Sequence, residues 1–221
     1  MPNYLIRLRL PDRPGALGAV ASRIGSVGAD VVSIDILQRD HGVVIDELGV
    51  GLAGDHLINL LHDEILEVDG VTIESVRVLD GPIPDRYAEL LDVATELFKQ
   101  SSASDLLEHL VVRVRRSLFA AFAVVLDAST CGVVISDGNL PDPEKLGAMV
   151  KAVEGVSAES ERPFGDGDAV TDEALAVAVS SMERSGTVLV VGRREPLLRD
   201  GERQWISIMA ELADHRGIEL R

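Results

Sequence analysis

The stretch Leu10-Pro11-Asp12-Arg13-Pro14-Gly15-Ala16-Leu17 decides how the chain is read. It follows a run that alternates apolar and polar residues, and it opens a run with helical spacing. Asp12 is expected to cap the helix, and Pro14 to sit in its first turn, where a missing N–H costs nothing. Gly15 lets another group approach the backbone closely. A helix start carries unpaired N–H groups and a partial positive charge, so it suits a carboxylate or a phosphate. The same residues also serve as plain helix-start punctuation.

Working outward, Tyr4, Ile6, Leu8 and Leu10 alternate with Leu5, Arg7 and Arg9, a half-buried strand. Leu17, Val20, Ala21, Ile24 and Val27 recur at helical spacing, and Gly28 stops them. Val32, Ile34 and Ile36 predict a second strand. Asp40-His41-Gly42 predicts a turn, and Leu48, Val50 and Leu52 alternate with Glu47, Gly49 and Gly51 as a third strand, closing a hairpin. A second helix starts at Gly54-Asp55 and carries Leu57, Leu60, Leu61, Ile65 and Val68. Val71 to Leu79 is a fourth strand. The order strand, helix, strand, strand, helix, strand is the split βαβ, ferredoxin-like pattern. One sheet face should carry both helices, the other being open or covered by a partner.

This order, with Asp12-Arg13-Pro14-Gly15-Ala16-Leu17 after the first strand, resembles an ACT domain. The resemblance implies an amino acid bound where the backbone at Gly15 approaches it, its carboxylate on the helix N-terminus. The candidate ligand-binding residues are therefore Asp12, Arg13, Pro14, Gly15, Ala16 and Leu17, together with Asp30. Asp30 stands where the family often has Asn to meet the ammonium, and a carboxylate also accepts from an ammonium. Asp30 reads equally as a turn residue before the second strand. Edge-to-edge pairing of two copies, with the site at the dimer interface, is a further implication.

Asp80-Gly81-Pro82-Ile83-Pro84-Asp85 cannot continue a helix or a strand. It divides the chain into residues 1–80, a linker at 81–86, and residues 87–221. In the second part Tyr87, Leu90, Leu91, Ala94, Leu97 and Phe98 form one helical stripe, and Leu106 to Leu118 a second helix. Strands are expected at Ala120–Leu126 and Thr130–Ser136, with Cys131 inside the latter. A short helix carries Leu146, Met149, Val150 and Val153. Gly155 to Asp172 reads as irregular and acidic. Strands at Leu175–Val179 and Thr187–Val191 and a last helix over about Gly201–Arg216 complete it. The arrangement is similar to a GAF domain, most closely over Leu175 to Ala213. That implies an antiparallel sheet flanked by helices, small-molecule binding beside the sheet and dimerisation through the first and last helices. The fold class is thus α+β: a ferredoxin-like βαββαβ domain of ACT type, then a GAF-like domain.

Composition excludes several functions. The 221 residues carry a formal charge of -16. Both parts are acidic, so neither offers a phosphate-neutralising face, and neither nucleic acid nor an anionic membrane is an expected partner. Aromatic residues are 3% of the chain, too few for base-stacking platforms. A single cysteine, no signal-peptide pattern and no membrane-length apolar run fit a cytoplasmic protein.

Catalytic patterns are missing. His56 and His62 do not share a helical face with a glutamate base, as a zinc-protease helix requires. Cys131 has no obvious base. Asp166-Gly167-Asp168 with Asp172 lacks the closing glutamate of a calcium loop. Gly49-Val50-Gly51 lies within a strand, unlike a dinucleotide fingerprint. No cofactor and no metal are expected. The expectation is a non-catalytic, homodimeric sensor of a small molecule, an amino acid being the simplest ligand. The alternatives are a regulatory subunit that binds and controls a biosynthetic enzyme, and an enzyme with an unrecognised site around Asp166 to Asp172.

Overall fold

A computed structural model of the chain describes residues 2–154 and 175–220. It divides into two compact units, Met1–Tyr87 with Arg199–Gly201, and Ala88–Leu198 with Glu202–Arg221.

The first unit runs β1 (Asn3–Pro11), α1 (Ala16–Ser26), β2 (Asp30–Asp40), β3 (Val43–Gly51), a 3-10 turn (Asp55–Leu57), α2 (Ile58–Leu66) and β4 (Thr72–Leu79). The sheet order is β2-β3-β1-β4, and every pair is antiparallel. This is the expected ferredoxin-like topology. The alternation in β1 sends Tyr4, Ile6, Leu8 and Leu10 to one face. There they meet Val20 and Ile24 of α1, Leu48 and Val50 of β3, and Leu61 and Ile65 of α2. Burying each of these side chains is worth about 1.5–3 kcal/mol. Leu60, expected on the inward stripe of α2, is 48% exposed instead. The helix proper begins only after the 3-10 turn, and its inward face is set by Leu61 and Ile65.

The opposite face is covered in part by the chain itself. Arg7 and Glu47 are register neighbours on β1 and β3, and the Arg7 guanidinium donates to Glu47 Oε2 at 2.7 Å and 3.1 Å. Arg86 donates to Glu47 Oε1 at 2.6 Å and stands 3.8 Å from Asp35 Oδ2. Burial pushes the Asp35 carboxyl up, Arg86 opposes that, and Glu47 and Asp85 add to it. Asn3 donates to the Gly81 carbonyl at 2.7 Å. Ile83 packs so closely over Gly49 that a Cβ there would collide with its side chain. Residues 81–86, expected as a linker, therefore lie along this face, and Gly49 is glycine because Ile83 occupies the space.

The second unit contains α3 (Arg86–Lys99) from Ala88 on, α4 (Ala103–Ser117), β5 (Phe122–Asp127), β6 (Val133–Gly138), α5 (Pro143–Glu154), β7 (Ala176–Met182), β8 (Thr187–Arg193) and α6 (Asp200–Glu219) from Glu202 on. Its antiparallel sheet has the order β6-β5-β8-β7. One face buries Ala123, Val125, Leu189 and Val191 with α3, α4 and α6. The other buries Phe122, Val124, Leu126, Val188 and Val190 with Leu146 and Val150 of α5. This is the antiparallel sheet flanked by helices that the GAF-like reading requires. Ser102 caps α4 by accepting from the Asp105 N–H at 3.1 Å.

Two polar devices close this unit. Arg193 is 3% exposed and Glu202 1% exposed. The guanidinium donates to both oxygens of Glu202 and to the carbonyls of Leu118, Pro196 and Leu197. Every N–H is thereby used, which makes the buried charge tolerable. Asp214 of α6 accepts from the N–H groups of Arg184 and Ser185, at 2.9 Å and 2.8 Å, and so holds the β7–β8 turn.

Cys131 departs from expectation. It is not in a strand: it stands at φ 55 in the β5–β6 connection. Asp127 organises that turn. Its carboxylate accepts from the Ser129 hydroxyl and from the N–H and hydroxyl of Thr130, which pulls it down to about 2. The acidic segment Asp166 to Asp172 lies outside the described residues.

Candidate functional site

β1 ends at Pro11 and α1 starts at Ala16, so Asp12 to Gly15 form the loop between them. The Asp12 N–H donates to the Gly42 carbonyl at 2.8 Å, tying the loop to the β2–β3 turn. The Asp12 carboxylate faces Arg39 of β2 at 3.6 Å. Arg13 reaches the Asp69 carbonyl at 3.5 Å and is exposed, as is Pro14. Ala16 is buried, and Leu17 packs partly against the core.

The cap is not Asp12. Gly15 occupies the cap position in the left-handed conformation, φ 88 and ψ -11, and no side chain caps the helix. Pro14 accordingly precedes the first helical turn. The reason lies in the spacing: a capping side chain must sit at the residue directly before the helix, and Asp12 is turned toward Arg39. Gly15 has nothing within 4 Å of the point where a Cβ would stand. The Ala16 N–H is held by the Arg13 carbonyl at 3.3 Å. The helix start is therefore a concentration of N–H groups behind a bare, exposed backbone turn.

Asp30 is not brought to this loop. It registers with Gly51 of β3, which in turn registers with Asn3, whereas the loop follows Pro11, which registers with Val43. The span between these two ends of β1 is about 27 Å at ~3.4 Å per residue. Within one chain Asp12 to Leu17 stand together and Asp30 stands apart.

A different carboxylate stands nearer. Asp46 of β3 registers with Leu8 and with Ile36, so its side chain falls on the helix-facing side of the sheet between Val44 and Leu48. It is 3% exposed, and its Oδ1 has no hydrogen-bond partner. Burial pushes its carboxyl up, Arg39 opposes this, and Asp12 adds to it. The sequence holds the signal: in the alternation 44, 46, 48, 50 every position but Asp46 is apolar. A charge at an inward position is expensive unless paired.

Among the described residues no group of three or more His, Cys, Asp or Glu is arranged to hold a metal ion, and no helix is long and apolar enough to cross a membrane.

No protein-family model matches the chain, and no curated protein matches it. Solved structures similar to it include the ACT domain from GTP pyrophosphokinase of Chlorobium tepidum, 18% identical over 38% of this chain and 91% of that one, with a TM-score of 0.29. An ACT domain protein from Streptococcus pneumoniae is 15% identical over 35% of this chain and 89% of its own, with a TM-score of 0.29. A GAF domain from Pseudomonas syringae pv. tomato is 11% identical over 58% of this chain and 83% of its own, with a TM-score of 0.38. The strand orders and layers of the two units are those of a ferredoxin-like unit and of an antiparallel sheet flanked by helices.

Proposed function

We propose that the chain is a non-catalytic regulatory protein that senses a small molecule, an amino acid, at the β1–α1 loop of its ACT-like unit. One observation carries the reading: Gly15, at φ 88, stands bare and uncapped at the start of α1. The ligand's carboxylate takes the place of a capping side chain, where the N–H groups and the helix dipole favour negative charge.

The site is shared between two copies. β2 is an edge of the sheet, and its Val32, Ile34 and Ile36 are 60%, 47% and 57% exposed. An apolar edge strand pairs readily with another strand. Antiparallel pairing of β2 with itself about Ile34 sets Val32 against the partner's Ile36. It also brings the partner's Asp30 beside Gln38 and Arg39, at the loop end. Asp30, remote within its own chain, thereby reaches the Asp12 loop of the other. A ligand that binds the paired state better than the separate one shifts the population between them.

The test is thermal unfolding of the full chain with each of the twenty L-amino acids. A ligand at 100 times its Kd adds about 2.7 kcal/mol. Stabilisation by one or a few supports the reading; none by any at millimolar concentration overturns it.

A protein partner is the second reading, that of a regulatory subunit. Tyr87, Leu91 and Phe98 lie on one side of α3 and are 77%, 66% and 53% exposed. Stoichiometric co-purification with an enzyme favours it, and a clean homodimer disfavours it.

A further inference from the structure

We propose that Asp46 is the carboxylate that receives a ligand's ammonium group at the loop end of the first unit, making the site selective for primary amines among carboxylate ligands. The inference rests on the ligand reading above and assigns the cation-binding half of that same site. Three observations support it. Asp46 is 3% exposed with an unpartnered Oδ1, so a hydrogen-bond acceptor is held in the protein with nothing to accept from. Its place on β3 faces the helix layer, opposite Leu8, the last but one core residue before the loop. The charged groups that act on it are Arg39 from β2 and Asp12 from the loop itself.

Arg39 does not satisfy it. The ion pair recorded for Arg39 is with Asp12, at 3.6 Å, and its side chain is 61% exposed. A buried acceptor left open is retained against an energetic penalty. An ammonium supplies what is missing: a compact positive charge with several donors. A carboxylate ligand without an amine leaves Asp46 as unsatisfied as before, so the site discriminates by that group.

The experiment is calorimetric titration of the full chain. Each of the twenty L-amino acids is titrated into wild type and into Asp46→Asn. Any that binds is then replaced by the corresponding acid with hydrogen in place of its ammonium. The expected result is at least a tenfold loss of amino-acid affinity in Asp46→Asn, about 1.4 kcal/mol, with affinity for the deaminated acid unchanged. Equal amino-acid affinity in wild type and variant overturns the proposal while leaving the ligand reading intact. Absence of binding by any amino acid to wild type overturns both.

Discussion

Asp30 and Pro11 stand at opposite ends of the first sheet, Asp30 in register with Gly51 and Pro11 with Val43. A site that uses both Asp30 and the loop after Pro11 needs two copies of the chain. Ile34→Asp places a charge at the centre of the proposed β2 pairing. Ile34 is 47% exposed, so the fold should lose about 1–2 kcal/mol, from lower strand propensity and the part of the side chain already buried, and stay folded. The variant should sediment as a monomer and lose amino-acid binding. A dimeric Ile34→Asp that binds as wild type does would refute the shared site.

Much of the first unit was legible because its alternation is clean. Tyr4, Ile6, Leu8 and Leu10 carry the core face of β1, and Val20 and Ile24 that of α1. What the pattern hid are the residues whose roles depend on partners distant in sequence. Glu47 reads as an outward position on a half-solvated sheet, yet it is 8% exposed, because Arg7 lies across from it and Arg86 closes over it. Asp12 looks like a cap, but the loop spends one more turn before the helix, and Gly15 takes that position. Cys131 sits among β-branched and small residues, and the turn that Asp127 organises places it outside the strand. Asp46 was visible as a break in an inward run, though its lack of a partner depends on β1, β2 and the loop together.

Gly15 separates strain from steric exclusion. At φ 88 any side chain carries the left-handed penalty of about 1–2 kcal/mol. The space around it is open, so Ala and Leu should lose similar stability. Gly15→Leu should abolish amino-acid binding while Gly15→Ala weakens it far less, both variants staying folded. Normal binding by Gly15→Leu would reduce the loop to helix punctuation.

The segment after β4 is held by shape at Gly49. Gly49→Ala should destabilise the first unit by roughly 1–3 kcal/mol, because its new methyl meets Ile83 and Ser33. Ile83→Ala in the same chain should recover part of that loss. Urea midpoints for the four members of this cycle measure the coupling. Additive effects would mean that Ile83 does not rest on Gly49 in solution.

The Arg193–Glu202 pair is buried and fully hydrogen-bonded, so its members are unequal to their sum. Glu202→Gln or Arg193→Met alone should destabilise the second unit by about 3–5 kcal/mol, leaving one charge without its counterion. Replacing both by Met should lose less than Arg193→Met alone, since both leave the carbonyls of Leu118, Pro196 and Leu197 without a donor but only the single change also leaves a buried charge. Chemical denaturation of the three variants checks this, and a double variant worse than Arg193→Met would contradict it.

Asp46 makes a prediction about pH whose sign follows from its direction. Burial raises its carboxyl in the folded chain above the ordinary value of 3.8, the largest cause, with Arg39 opposing. A group raised on folding favours the fold fully below its unfolded value, and that contribution disappears as pH rises through the folded value. At neutral pH the ionised Asp46 is therefore a liability in the unliganded protein. Asn has the shape of the protonated acid and does not ionise. Asp46→Asn should match wild type in urea stability at a pH near 3.8 and exceed it at neutral pH, the gap opening as pH rises. Equal stability at both pH values, or a variant weaker at neutral pH, would mean that the ionised carboxylate already has a partner when no ligand is bound. The same substitution that stabilises the empty protein should weaken the liganded one, a combination that a purely structural carboxylate does not produce.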